Sequence, residues 1–250
     1  MKIVIIGGTG LIGSQLNNLL KNDHEIIVAS PNTGVNTITG EGLDNALQNA
    51  DIVVDVSNSP SFADADVMAF FQTSTTNLLE AEQRTNVKHH IALSVVGTQK
   101  LSDSGYFRAK QVQEELIGKS VIPYSIVHAT QFFEFAGGIA ASSTKNEEAF
   151  VSDAFVQPIA SSDVAAFLAK TVLEKPTFGI SEIAGPEKMP MNIWVENYLS
   201  VMQRPLKVVV QKDAPYFGAI LETETLTPEK TVFESGIKYE DWISNPQNQR

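Results

Sequence analysis

Tyr106 and Lys110 stand four residues apart in the stretch DSGYFRAKQVQEELIG, which runs from Asp103 to Gly118. On a helix that spacing puts both side chains on one face. If the face points at a bound cofactor, the Lys110 ammonium can hold a ribose hydroxyl and pull the Tyr106 phenol below its ordinary value of about 10. Tyr106 can then hand a proton to a carbonyl or quinone oxygen as a hydride arrives, with Ser94, at the end of the preceding apolar run, steadying that oxygen. A phenol brought to near 7 needs roughly 4 kcal/mol of preferential stabilisation of the phenolate, which a lysine and a partly dry site can jointly supply. The chain has five tyrosines in 250 residues, so the spacing alone is a weak signal. The bland alternative is a solvent-facing pair, and position just after an apolar strand is the better argument.

A hydride donor needs a phosphate cradle, and IVIIGGTGLIGSQL supplies one. Gly7, Gly10 and Gly13 recur every three residues between an apolar strand and an amphipathic helix. Gly7 permits the sharp turn, Gly10 lets a pyrophosphate approach the backbone, and Gly13 lets helix and strand pack closely. The N–H groups of Thr9, Leu11 and Ile12 complete the turn at the positive end of the helix. A dinucleotide is the expected ligand. At the end of the second strand, IIVASPNTG lacks the acid that usually takes the adenosine 2′-hydroxyl of NAD. Ser30, Asn32, Thr33 and Gly34 offer hydroxyl, amide and backbone donors suited to a 2′-phosphate, so NADP is expected ahead of NAD, which stays possible; no arginine clinches it. The alternative is a simple turn after Pro31.

These residues need a frame. Short β-branched runs alternate with segments of helical period: KIVII then SQLNNLL, EIIVA, DIVVDV then DADVMAFFQTSTTNLLEAEQ, HIALSVV then YFRAKQVQEEL, and YSIVHA. Alternation of this kind predicts βαβ units, hence an α/β, Rossmann-type doubly wound parallel sheet with helices on both faces. A weaker strand over 35–38 and a helix over 43–49 complete the first half, which makes DIVVDV, HIALSVV and YSIVHA the fourth, fifth and sixth strands. Past Ala141 polar loops and Pro176, Pro186, Pro190, Pro205 and Pro215 change the texture. The expected organisation is a dinucleotide-binding core over 1–160 and a smaller portion over 161–250 that completes the fold and covers the substrate cleft.

Composition removes other classes. There is no cysteine, and the formal net charge is −11. Disulfides, thiolate nucleophiles and iron–sulfur clusters are excluded, and a reducing compartment fits. The acidic balance, with no basic window to offset it, argues against nucleic acid. MKIVIIGG is too short for a signal peptide and no apolar run approaches a membrane span, so a soluble, cytoplasmic protein is expected. His89 and His90 are adjacent and would face opposite sides of a strand, which argues against a metal pair. His128 at a strand end reads as a hydrogen-bonded structural residue or a proton relay. In TQFFEF, Gln131, Phe132, Phe133, Glu134 and Phe135 follow the sixth strand; helix packing accounts for some of the rings, and the rest suit a flat apolar pocket, to which Tyr216 and Phe217 add.

In their order along the chain, GGTGLIG, DVSNSPSF, ALSVVG, YFRAK and IPYSIVHATQFFEF resemble the atypical short-chain dehydrogenase/reductase family, particularly its NmrA-like and NAD(P)H-dependent quinone or azo-dye reductase branch. QPIASSDVAA and EIAGPE extend the likeness past Gly185. The resemblance implies that Val56, Ser57, Asn58 and Ser59 wall the adenine and ribose, that Ser94 lies near the nicotinamide and that Lys110 holds its ribose. Two departures stand out: only 11 residues separate Ser94 from Tyr106, and His128–Ala129 replaces the usual Arg–Pro. Many NmrA-like proteins keep the lysine and lack a working tyrosine. The function expected is an NAD(P)H-dependent oxidoreductase passing hydride to a small apolar or aromatic, quinone-like or carbonyl substrate. A catalytically silent NADP-sensing regulator is the alternative, an epimerase-like role ranks third, and the chain reads as a monomer or homodimer.

Overall fold

The computed structural model describes residues 1–249. Seven parallel strands form the central sheet. Five are β1 (Lys2–Ile6), β2 (Glu25–Ala29), β3 (Ile52–Asp55), β4 (His89–Val95) and β5 (Tyr124–Ala129), followed by Ile180–Ala184 and Thr231–Glu234. Across the sheet the order is Thr231–Glu234, Ile180–Ala184, β5, β4, β3, β1, β2. The chain runs outward from β1 to β2, then crosses back to β3 on the other side of β1. That reversal opens a crevice beyond the carboxyl ends of β1 and β3, where ligands of such sheets bind.

The apolar strands are buried on both faces because helices cover both. On one face α1 (Leu11–Leu20) and α6 (Ser161–Val172) lay Ile12, Leu16, Val164 and Leu168 over Ile3, Ile5, Val54, Ile91 and Val127. On the other, α2 (Leu43–Leu47), α3 (Asp64–Thr85) and α4 (Gly105–Lys119) pack Leu43, Leu47, Leu78 and Ile117 against Val4, Val53, Ala92 and Ile126.

The expected strand over 35–38 does not form. Asn36 accepts the backbone N–H of Ile38 at 2.9 Å through its side-chain oxygen, and its own N–H bonds Glu41 at 2.8 Å. Gly34 and Gly40, both left-handed, turn the chain on either side. Local side-chain bonding of this kind displaces a sheet ladder. DIVVDV, HIALSVV and YSIVHA are therefore the third, fourth and fifth strands.

Residues beyond 130 do two things. α6 and the last two strands return to the sheet, while α5 (Ala136–Ser142), α7 (Met191–Val201) and α8 (Tyr239–Ser244) surround the fully buried Trp194 in a separate cluster with Phe107 of α4. A short hairpin pairs Pro215–Tyr216 with Ala219–Ile220 beside that cluster. No helix among the described residues is long and apolar enough to cross a membrane.

Candidate active site

The glycine turn is built on backbone contacts that leave no room for side chains. Gly7 has φ +76°, and a Cβ there would meet Ser57 Cα and N at 2.8 Å. Only glycine lets the loop after β3 lie on the loop after β1. A Cβ on Gly13 would meet Gly8 Cα at 2.5 Å, so α1 sits directly on the turn. Gly10 is the N-cap of α1 and no side chain caps that end. Thr9, Gly10 and Leu11 are exposed while Ile12 and Gly13 are buried. The first-turn N–H groups of α1 therefore face an open crevice with the helix dipole behind them, which fits a pyrophosphate.

Beyond β2, Ser30 and Thr33 bond to each other instead of to solvent. The Ser30 N–H donates to Thr33 Oγ1 at 2.9 Å, and that hydroxyl donates to Val28 O at 2.9 Å. Pro31–Thr33 is a single 3₁₀ turn closed by left-handed Gly34, with Asn32 exposed. Residues 30–34 include no acid.

The loop after β3 is fastened from below. Asp55 is buried and takes the Ser57 N–H at 2.9 Å and its hydroxyl at 2.6 Å. Its other oxygen accepts from Gln113 Nε2 at 3.0 Å. Gln113 Oε1 in turn accepts from Lys110, whose Nζ also donates to Leu93 O at 2.9 Å and lies 4.5 Å from the centre of the Phe71 ring. Two of the three ammonium protons are thus committed, and the third has no hydrogen-bond partner among the described residues. Burial pushes the Lys110 amine down to about 8, against the opposing pull of Asp55 and Glu114. Val56 and Ser57 are half-buried, Asn58 is exposed, and Ser59 turns its hydroxyl to Ser61 O at 2.7 Å.

Tyr106 shares the face of α4 with Lys110 but its phenol does not fall. Burial raises it to about 12, and its ring lies among Phe62, Phe71, Phe107 and Phe217 at centroid distances of 5.5–6.5 Å. The expected lowering is reversed because the lysine is held against Leu93 O and Gln113, and apolar rings surround the phenol. Ser94 is also committed elsewhere: it is 5% exposed and donates to Glu114 Oε1, which His128 Nε2 meets at 2.8 Å. His89 and His90 diverge as expected, to Ser125 Oγ at 2.9 Å and Glu82 Oε1 at 2.7 Å.

The aromatic run after β5 divides. Phe133 is buried against Tyr239 and Trp242, which places it in the apolar cluster around Trp194 and away from open surface. Phe132 is half-buried and stacks on exposed Phe135 at 5.0 Å. Gln131 is 3% exposed with neither side-chain amide atom hydrogen-bonded. It lies beside Tyr216, whose phenol is raised by burial and by the neighbouring Tyr106. Glu134 accepts from Ser161, which accepts from Gln15 at 2.8 Å; this group borders a cavity of about 630 Å³ reaching from Leu11 to Trp242. Burial raises the Glu134 carboxyl.

Asp55, Gln113, Glu114, Phe62 and Phe71 were not among the expected site residues. Gln113 and Glu114 had a local signal, since i+3 and i+4 from Lys110 fall on its own helical face. Asp55 had only its turn partner Ser57 nearby; Gln113, which links it to Lys110, is 58 residues away.

The sequence model of a family described as NAD(P)H-binding matches residues 7–175. The photosystem II assembly factor Ycf39 of Synechocystis sp. is 21% identical over a 190-residue alignment covering 69% of this chain; the chain spans 58% of that protein's length. Two solved structures share the fold. Bordetella bronchiseptica WbmG in complex with NAD has a TM-score of 0.72 at 17% identity, covering 98% of this chain and 92% of that one. The dTDP-4-dehydrorhamnose reductase of Bacillus anthracis in complex with NADP has a TM-score of 0.67 at 14% identity, covering 84% of each chain. These likenesses bear out the resemblance to atypical short-chain dehydrogenase/reductases. With its glycine turn, its uncapped α1 and a family match over about two thirds of its length, the chain belongs to the NAD(P)H-binding family.

Proposed function

We propose that the protein is an NADPH-dependent reductase acting on small carbonyl or quinone-like substrates. One observation carries the reading: buried Lys110, pinned through Leu93 O and Gln113 beside the carboxyl end of β4, keeps one N–H free on the same helical face as Tyr106. The nicotinamide, when bound, supplies the hydride. Gly10 and the first turn of α1 hold the pyrophosphate, Lys110 holds the ribose, and Val56 to Ser59 wall the adenine side, supported by the seating of that loop on Gly7. Ser30, Asn32, Thr33 and Gly34, with no acid among them, favour NADP over NAD. Gln131, Phe132 and Tyr216 border the substrate; Phe133 supports them from the core.

The raised phenol decides where the product's proton comes from. At about 12 Tyr106 keeps its proton at neutral pH. An alkoxide, formed when hydride adds to a carbonyl carbon, is far more basic and takes that proton downhill. A hydroquinone anion is a phenolate with an ordinary value of about 10, below that of Tyr106, so at neutral pH it is protonated by the bulk buffered solvent instead. Ser94, bonded to Glu114, positions α4 against β4 and donates nothing to substrate.

Following NADPH loss with an aromatic aldehyde and with a quinone tests the reading. Lys110→Ala is expected to lower kcat/KM for NADPH about tenfold with both. Tyr106→Phe is expected to slow the aldehyde by about 10²-fold or more and leave the quinone nearly unchanged. Tight NADPH binding by the wild type without turnover of either compound would overturn the proposal.

A further inference from the structure

Phe217 sits where a bulky residue is least at home. Tyr216 pairs with Ala219 across the short hairpin, so Phe217 and Gly218 are its two turn residues, with φ +47° and +89°. Positive φ at both positions is the type I′ turn, whose first place belongs to Asn, Asp or Gly because a branched or bulky side chain crowds the backbone there. Burial does not offset the strain, since Phe217 is 43% exposed. Strain held at one residue without a local return is an observation that points to use.

Its ring has company of the same kind. Phe62, on the loop between β3 and α3, is 54% exposed and lies 5.8 Å from the Phe217 ring, centroid to centroid. Both rings approach Tyr106, at 5.7 Å and 6.5 Å. Three segments distant in sequence thus bring two half-open aromatic faces to one spot above the phenol. Fastening the cover to the core would be served better by buried aliphatic side chains, with no strained turn.

We propose that Phe62 and Phe217 are the jaws of a slot that admits one flat aromatic ligand over Tyr106, and that stacking in this slot selects the substrate. The catalytic use of the slot rests on the reductase reading; the binding does not. The jaws touch in this structure, so a ligand must part them, and a planar ring then gains two faces at offset-stacking distance. A non-planar aliphatic carbonyl of equal size gains neither.

Phe217→Asn separates use from structure because it places a preferred residue in the turn. The melting temperature is expected to rise by about 2–4 °C as strain is relieved. Affinity of the NADP⁺-saturated protein for menadione, a planar quinone, is expected to fall about three- to tenfold, with NADPH affinity unchanged. Phe62→Ala, at a position without backbone strain, is expected to show the same loss of menadione affinity with no rise in melting temperature. Binding of decahydronaphthalene-1,4-dione, a saturated two-ring dione of similar size, is expected to change less than about twofold in both variants. A fall in melting temperature for Phe217→Asn, menadione affinity within about twofold of wild type in both variants, or no menadione binding by the wild type would each overturn the slot. Weakened menadione binding without turnover in any form would leave the slot standing and remove the reductase reading; turnover with wild-type KM in both variants would do the reverse.

Discussion

Lys110 and Tyr106 carry opposite shifts from one cause, and the pair makes a pH prediction. Burial disfavours the charged form of each, lowering the amine to about 8 and raising the phenol to about 12. In the proposed reading the ammonium is the form that donates to ribose, so kcat/KM is expected to fall as pH rises through about 8. The phenol titrates too high to shape that limb, and Tyr106→Phe should lower the aldehyde profile without moving it. Asp55 and Glu114 hold the lysine up against burial; Asp55→Asn should therefore move the limb to lower pH, which a series of NADPH titrations across pH 6–9 would read directly. A limb unmoved by Asp55→Asn would mean that another group titrates. At this scale the shared helical face of Tyr106 and Lys110, just after an apolar strand, was legible, yet the direction of the Tyr106 shift was hidden. Phe62 and Phe217 come to that ring from 44 and 111 residues away, and no local pattern records such neighbours.

The glycine turn and the helix behind it were legible because one short window holds the whole device: strand, three spaced glycines, uncapped helix. The same window predicts what breaks it. Gly13→Ala puts a methyl group against Gly8 Cα and the Gly7 carbonyl, both backbone, so α1 must lift from β1. A loss of about 1–3 kcal/mol in unfolding free energy is expected, together with loss of NADPH binding. Gly138→Ala in α5 is the counter-case, since nothing lies within 4 Å of the added carbon; it should stabilise by about 0.5–1 kcal/mol and leave binding intact. Denaturant melts and NADPH titrations on the two variants check both signs. Elements without a self-contained window were read less well. Val35 to Ile38 has strand-like residues, but Asn36 bonds the backbone two residues on and the ladder never starts. Thr231–Glu234 joins the sheet as an edge strand with Val232 and Glu234 exposed, so it lacks the apolar run that marked the inner strands.

Across the whole molecule the two faces of the sheet divide the work. The α1 and α6 face is packed with aliphatic side chains from β1, β3, β4 and β5. The opposite face holds Asp55, Glu82, His90, Glu114, His128 and Lys110 in buried hydrogen-bonded groups beneath α3 and α4. A dinucleotide across the carboxyl edge would tie both layers together, touching the α1 turn from one and Lys110 from the other. A ligand that binds only the native state stabilises it by about 2.7 kcal/mol at one hundred times its Kd. For a chain of this size that is a rise in melting temperature of about 5–10 °C. Lys110→Ala, with affinity weakened about tenfold, should retain about half of that rise at the same NADPH concentration, and Gly13→Ala none. Hydrogen exchange then shows how far the tie reaches. Phe217 contacts Tyr106 on α4 from the C-terminal hairpin, so added protection is expected over 215–220 as well as over α1, the loop after β3 and α4. Protection confined to the first 130 residues would mean that the cover folds and opens independently of the cofactor crevice, and that the hairpin answers to substrate alone.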